Sequence, residues 1–466
     1  TLCSETVYGM NENEISIQEE RILNFKQQEI RDIRDIENQQ NNSKMRILQL
    51  DKQSEKVLAE IIKKNKNLKT LDLRISGSNP EEIGNDLASA VKNHPTLEKV
   101  YLCADAFNSK GRKALIDALK STRIKALIVE CSSSTIIKQM PDFLNTNKTL
   151  TRFEWDLYSI SEDQIKNFLE ALLVHNRIQI LKITRADLDG KAASHFSKFL
   201  EKNKSLTHLD LGLNEFTDEG AKSLAKSIKD NKSLLKLSVG GNDIDKDGVM
   251  ALLEIFEHNS VLKELHMGNH LLSNEMLVKI ADFLKKNTTL THLDLSVSEL
   301  SDIVYKPLIT LKGIAKLAEA LKINKSLVAL NLGKLGCRNE DVKLILEARK
   351  DNQTLKRLGF SRSNISSEGV QYIAENLGNL TFLDLNFNKI GDKEVENFAT
   401  VLETNNTLKH LKLFSSEISK KGLEALLRAL QKNTTLTKLQ LNLDKDTQEL
   451  FKEIEKKLKK NKKLSK

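Results

Sequence analysis

Apolar positions change period along Leu206–Asn231. Leu206, Leu209 and Leu211 come first, with polar residues set between them. Alternation of this kind predicts a strand covered on one face. A Thr217-Asp218-Glu219-Gly220 turn follows, and then Ala221, Leu224, Ala225 and Ile228 at helical spacing. The next segment, LLKLSVGGNDIDKDG, restarts the pattern at Leu234, and 234 − 206 gives a period of 28 residues. The same phase recurs at Leu68, Leu97, Ile124, Leu150, Ile178, Leu262, Leu290, Leu327, Leu355, Leu380, Leu408 and Leu436, which with Leu206 and Leu234 makes 14 units. A weaker copy lies at Met45, Leu48 and Leu50. A single strand–turn–helix unit cannot bury its own apolar face, so the copies must stack.

The motif L-x-x-L-x-L-x-x-N resembles a leucine-rich repeat. Its 28-residue length and helical second half resemble the ribonuclease-inhibitor-like subfamily, over about residues 45–466. The resemblance implies that Asn214, Asn242, Asn364 and Asn388 are buried, with amides that bond turn backbone. Short polar residues at Ser161, Asp189, Thr217, Asp245, Ser273, Ser366 and Ser419 read as helix N-caps. Asparagines just after the helices (Asn65, Asn93, Asn147, Asn203, Asn231, Asn259, Asn287, Asn324, Asn352, Asn405 and Asn433) suit a left-handed helix end. Strands pack about 4.8 Å apart and helices roughly 8–10 Å apart. The expected fold is therefore an α/β leucine-rich-repeat solenoid, a horseshoe with a parallel sheet on its concave face, α-helices on its convex face and about 14 repeats.

Residues 1–44 stand outside the repeat. EERILNFKQQEIRDIRDIE predicts a helix, with Ile22, Phe25, Ile30, Ile33 and Ile36 near one face, that caps the open end of the array before a polar linker. The array then runs over 45–466. The step from Leu290 to Leu327 is 37 residues, which places an insertion near 297–310 with Tyr305 and Pro307. A Lys-rich helix closes the sequence, and KKNKKL at 459–464 matches the start of another unit, so the chain ends either in a cap or inside a longer protein.

Net charge is +9, with 29% charged residues, and much of the excess sits in that last helix. No run of 18 apolar residues suggests a membrane span. Cys3, Cys103, Cys131 and Cys337 are far apart and form no C-x-x-C. Sequons such as Asn203-Lys204-Ser205 and Asn287-Thr288-Thr289 recur at one repeat position and would invite glycans in a secretory route. Together these favour a reducing, cytoplasmic compartment, which for a translocated bacterial protein would be the host cytosol.

No phosphate-binding loop, nucleophile elbow or H-E-x-x-H motif is present. The expectation is a protein without catalytic residues, cofactor or metal. Alternation along each strand turns a set of side chains to the concave face: Arg74, Tyr101, Arg152, Glu154, His208, Asp210, Glu264, His266, His292, Asp294, Arg357, Phe382, Asp384, His410, Lys412 and Phe414. His208/Asp210 and His292/Asp294 repeat a His-x-Asp pattern that reads as a polar ridge. Phe382 and Phe414 read as exposed aromatic anchors, and Ile128 as an apolar contact point. The function implied is a monomeric protein–protein interaction scaffold that holds a protein partner on this face, with binding that weakens in salt. One alternative is regulation of a small GTPase, because the repeat class also resembles Ran GTPase-activating proteins. Those carry an acidic tail, whereas this chain ends in lysines. Another is a translocated bacterial effector that binds host proteins. Acids and bases alternate on the face without an aromatic–basic ladder, which argues against nucleic acid.

Overall fold

The computed structural model describes residues 22–24, 43–49, 52–73, 84–103, 107–131, 136–157, 159–268, 272–297, 309–414, 417–442 and 447–464. The chain divides into two compact units, Thr1–Leu235 and Lys236–Lys466. In the first, strands and helices alternate as β1 (Ile22–Asn24), β2 (Lys44–Gln49), α1 (Lys52–Lys64), β3 (Thr70–Leu73), α2 (Asn85–Val91), β4 (Lys99–Cys103), α3 (Ser109–Lys120), β5 (Ala126–Cys131), α4 (Met140–Thr146), β6 (Arg152–Leu157), α5 (Glu162–His175), β7 (Ile180–Thr184), α6 (Gly190–Lys202), β8 (His208–Asp210) and α7 (Asp218–Lys229). Each strand from β1 to β8 pairs in parallel with the next.

The second unit runs β9 (Lys236–Ser238), α8 (Lys246–His258), β10 (Glu264–His266), α9 (Asn274–Lys286), β11 (His292–Asp294), α10 (Leu311–Ile323), β12 (Ala329–Asn331), α11 (Asn339–Lys350), β13 (Arg357–Gly359), α12 (Ser367–Glu375), β14 (Phe382–Asp384), α13 (Asp392–Leu402), β15 (His410–Leu413), α14 (Lys420–Lys432), β16 (Lys438–Leu441) and α15 (Gln448–Leu464). Its strands are likewise parallel and in sequence order. The fold is α/β and solenoid-like. Fourteen strands, β3 to β16, follow the phase residues, and β2 is the weaker copy at Met45.

The core lies between strands and helices. Leu206, Leu209 and Leu211 are buried, and α7 adds Ala221, Leu224, Ala225 and Ile228, as the periodicity predicts. The predicted caps sit where expected. Ser161 accepts from Gln164 N in a reciprocal capping box, Asp189 from Lys191 N and Ala192 N, Ser273 from Met276 N, Asp245 from Lys246 N and Ser419 from Lys421 N. Thr217 and Ser366 hold the N-cap position without a side-chain cap bond.

Asparagines tie the repeats together. Asn214 Nδ2 donates to Ile183 O at 2.9 Å, while its Oδ1 accepts from Ala186 N at 2.9 Å. Asn388 does the same with Phe360 O and Ser363 N. Asn364 does not fill this position: it is exposed, and buried Ser363 stands there instead, one residue earlier. Counting from Leu355, Leu358 and Phe360 gives residue 363; the adjacent asparagine belongs to the turn.

The post-helix asparagines work differently from the expectation. Asn147, Asn203, Asn259, Asn287, Asn324 and Asn433 are extended at this position, and of the expected set Asn93 alone has a positive φ. Their side chains form rungs. Asn352 Oδ1 accepts from Thr354 N and Leu355 N, both at 2.9 Å, and its Nδ2 donates to Leu321 O at 2.6 Å and Asn324 O at 2.9 Å. Asn231, Asn324 and Asn433 repeat the arrangement. One amide thus satisfies the N–H groups opening its own strand and carbonyls at the end of the previous helix, groups that would otherwise be buried without partners.

Four rungs depart from asparagine. His94 reaches Ile62 O at 3.0 Å, and the two ring nitrogens of His175 face Leu144 O and Leu150 O. Ser121 stands at the third, where its Oγ donates to Ala118 O and the adjacent Thr122 Oγ1 to Leu119 O, both at the end of the same helix. Leu377 offers no amide, and near it buried Arg349 donates from Nη2 to Asn376 O and from Nη1 to Asn379 Oδ1, both at 2.8 Å.

Ile22–Asn24 departs from the predicted N-terminal helix and lies as β1 against β2, with Leu23 opposite Ile47. A first strand leaves a row of unpaired backbone groups, which a short added strand covers; helical spacing carries no sign of that demand. The rest of the 1–42 segment, and the insertion at 298–308, lie outside the described residues.

Candidate functional site

Each short strand buries its central leucine; His208–Asp210, Glu264–His266 and His292–Asp294 leave both flanking side chains half-exposed, whereas Arg357–Gly359 buries all three. Parallel register then stacks equivalent side chains into columns about 4.8 Å apart per step. In the second unit one column runs Lys236, Glu264, His292, Ala329, Arg357, Phe382, His410 and Lys438. The other runs Ser238, His266, Asp294, Asn331, Gly359, Asp384, Lys412 and Gln440.

Neighbours within these columns bond to each other. Lys236 Nζ lies 3.4 Å from Glu264 Oε2, and Glu264 Oε1 lies 3.9 Å from His292 Nδ1. His266 Nε2 lies 3.8 Å from Asp294 Oδ1, while Asn331 Nδ2 donates to Asp294 Oδ2 at 3.1 Å. Lys412 Nζ lies 3.2 Å from Asp384 Oδ2. His266 thus faces an acid of the following strand and His292 an acid of the preceding one.

Phe382 is not an exposed anchor, contrary to the sequence expectation. It is 4% exposed. The Arg357 guanidinium lies 4.3 Å over its ring, Lys412 Nζ lies 5.4 Å from it, and His410 packs edge-on at 6.2 Å between ring centroids. The neighbouring strands supply this cover, and one strand's own alternation cannot reveal it. Phe414 is open, at 37% exposure, and packs edge-on against Phe387.

In the first unit, Tyr101 is half-buried with Lys99 Nζ 4.6 Å from its ring. Arg152 pairs with Glu154 on β6, Arg185 pairs with Asp156, and Lys182 Nζ lies 3.8 Å from Asp210 Oδ2. Ile128 sits in register between Tyr101 and Glu154 and is buried, so it offers no open apolar patch. Trp155 is core, edge-on to Phe153 and Phe168. Arg74 lies outside the described residues. The two His-x-Asp pairs fall in different units, His208/Asp210 in the first and His292/Asp294 in the second.

Selecting for charged and aromatic residues passed over Ala329 and Asn331, although positions two and four after Leu327 identify both. It also passed over Lys182 and Arg185, which neutralise Asp210 and Asp156. Among the described residues no group of three or more His, Cys, Asp or Glu could hold a metal ion. No described helix is long and apolar enough to cross a membrane.

The family pattern described as "Leucine Rich repeat" matches residues 202–225, 230–253, 286–302, 351–374, 379–399 and 404–427. The human NACHT, LRR and PYD domains-containing protein 13 is 26% identical over 359 residues, which is 74% of this chain and 28% of that protein. The mouse NACHT, LRR and PYD domains-containing protein 14 is 30% identical over 117 residues, 24% of this chain and 12% of that protein. The chain thus spans under a third of the length of these relatives. Among solved structures, the yeast Rad7 and Elc1 complex contains a chain 17% identical, with a TM-score of 0.46, covering 79% of this chain and 84% of that one.

Proposed function

We propose that this leucine-rich-repeat protein is a non-enzymatic scaffold that binds a folded protein partner through the strand faces of its units. The observation that supports the reading is the pair of side-chain columns, held in fixed register by parallel strands and by buried rungs beneath them. Side chains fixed in advance lose little freedom on binding, which is where such a surface gains affinity. The ribonuclease-inhibitor-like subfamily is part of the proposal, on the 28-residue period and the helical second half of each unit. The GTPase-regulator and effector readings gain no residue from the columns and are not carried forward.

The paired charges change one expectation. Lys236–Glu264 and Lys412–Asp384 already compensate one another, so little net field is left to steer a partner. Binding should depend only weakly on salt. A cytoplasmic location is also proposed. Several rung asparagines are sequon residues, as in Asn203-Lys204-Ser205 and Asn433-Thr434-Thr435, and these two are buried with Nδ2 engaged. A glycan there would destroy the rung.

Affinity purification tests the scaffold reading. Wild-type protein is compared with a His266→Ala, His292→Ala, His410→Ala variant shown to be folded by circular dichroism. A partner held by the wild type and lost by the variant is expected. Equal retention would contradict binding through the columns.

A further inference from the structure

Charge is placed unevenly along the second unit. α12 and α13 carry one lysine against five acids, whereas the adjoining α14 and α15 carry eleven cations against four acids. From Lys456 to Lys463, six of eight residues are lysine and none is acidic. Helical spacing sorts α15 into two sides. Ile454, Leu458 and Asn461, four and three residues apart, are buried and hold it to the array, where Asn461 Nδ2 donates to Asn433 O and Leu436 O at 3.0 and 2.8 Å. Lys456, Lys459, Lys460 and Lys463 lie on the opposite side and are exposed. Among the described residues, Lys459 alone of these four meets an acid, Glu455, at 4.0 Å. α14 runs alongside, with Lys457 bonded to Gln431 Oε1, so the exposed Arg428, one turn before Gln431, extends the cationic face. The helix macrodipole accounts for about half a charge at a C-terminus, which six lysines over more than two turns exceed several-fold. The repeat does not account for them either, because α12 and α13 end without a basic residue in the last turn.

We propose that this face of α14 and α15 docks the protein on a bilayer rich in acidic phospholipids. Lysines clustered on one helix face attract such a surface, each adding to the binding. Lysine presents a compact charge on a flexible stem, which suits mobile headgroups, whereas a fixed carboxylate or phosphate favours the arginine fork. Arg428 is the one arginine of the two helices. Unpaired bases stack on aromatic rings, and no exposed residue of either helix is aromatic. Leu464 is 63% exposed beside the last lysines and gives the headgroup layer an aliphatic contact. The apolar side of α15 is packed into the array, so the attachment is peripheral and electrostatic, and salt screens it. This surface is distinct from the strand faces, and the inference does not require a protein partner.

Vesicle co-sedimentation of the full chain tests it. One set of vesicles is phosphatidylcholine alone, and the other is equal parts phosphatidylcholine and phosphatidylserine. One variant carries Lys456→Gln, Lys459→Gln, Lys460→Gln and Lys463→Gln, and a second carries Lys→Arg at the same four positions. A third carries Lys279→Gln, Lys286→Gln, Lys312→Gln and Lys322→Gln, an equal loss of charge at exposed positions of α9 and α10. Wild type should bind the mixed vesicles and not phosphatidylcholine, and added salt should release it. The α15 glutamine variant should melt as wild type does and bind about tenfold or more weakly. The arginine variant and the α9–α10 variant should bind as wild type. Equal binding by the α15 glutamine variant, an equal loss in the α9–α10 variant, or no preference for the mixed vesicles would overturn the proposal. So would tighter binding to polyglutamate or oligothymidine offered as competitors, which would assign the face to an acidic protein or to nucleic acid. The changed residues all lie off the strand faces, so the result is separable from the affinity-purification test of the scaffold.

Discussion

The two units solve the same burial problem with different residues. In the second, asparagine fills the rungs (Asn259, Asn287, Asn324, Asn352, Asn405 and Asn433) except at Leu377, and β9 to β14 are three residues long. In the first, His94, Ser121 and His175 interrupt the asparagines, and β4 to β7 are five or six residues long. The irregular stretch also carries the aromatic cluster of Phe153, Trp155 and Phe168. What the stack requires is therefore a donor for buried helix-end carbonyls and a filled core, not asparagine and leucine as such. Longer strands and large aromatics accompany the rungs that depart from the repeat.

The largest expected effect lies in the first unit. Trp155→Ala removes the centre of the aromatic cluster and should cost about 4 kcal/mol in urea unfolding. A cost near that of an exposed substitution would mean the cluster does not carry the irregular stretch. In the second unit, Asn352→Leu imitates the residue at Leu377 without a nearby arginine donor. It leaves Leu321 O, Asn324 O and two N–H groups without their partner, at about 3 kcal/mol. If that variant were as stable as wild type, the rungs would not be what holds the regular unit together.

The histidine rung should give the first unit an acid sensitivity that asparagine lacks. Burial, with a smaller contribution from Lys66, lowers the pKa of His94 below its ordinary 6.5, against the opposing pull of its backbone contacts. The unfolded chain then takes up a proton that the folded chain resists. Stability is full above about pH 6.5 and falls as pH drops through the folded value. His94→Asn should flatten that fall in denaturation midpoints measured down a pH series; an unchanged profile would assign the sensitivity elsewhere. The smallest effect is at a cap: Ser161→Ala opens the capping box of α5 and should cost about 1 kcal/mol, read as a shift in urea midpoint.

The alternation of strand and helix, the caps at Ser161, Asp189 and Ser273, and the core leucines were legible because each depends on residues close in sequence. What the sequence concealed depends on the neighbouring repeat. The rung asparagines look like local helix stops, yet their amides reach carbonyls about one period back, as Asn352 reaches Leu321. Phe382 alternates like an exposed residue, yet Arg357 and Lys412 cover it from the strands on either side. His292 shares its strand with Asp294, yet the acid close to its ring is Glu264, one strand away. Asn364 was misplaced for a simpler reason: Ser363 holds the counted position, and an asparagine beside it matches the motif better by type than by number.

Site-specific photo-crosslinking in cells tests the central claim most directly. A photoreactive residue replaces Lys182 or His410 on the strand faces, and Lys198 or Arg428 on the exposed sides of α6 and α14. Binding through the strand faces predicts a partner captured from Lys182 or His410 and not from Lys198 or Arg428. Capture of the same partner from the helix positions, with none from the strands, would contradict it.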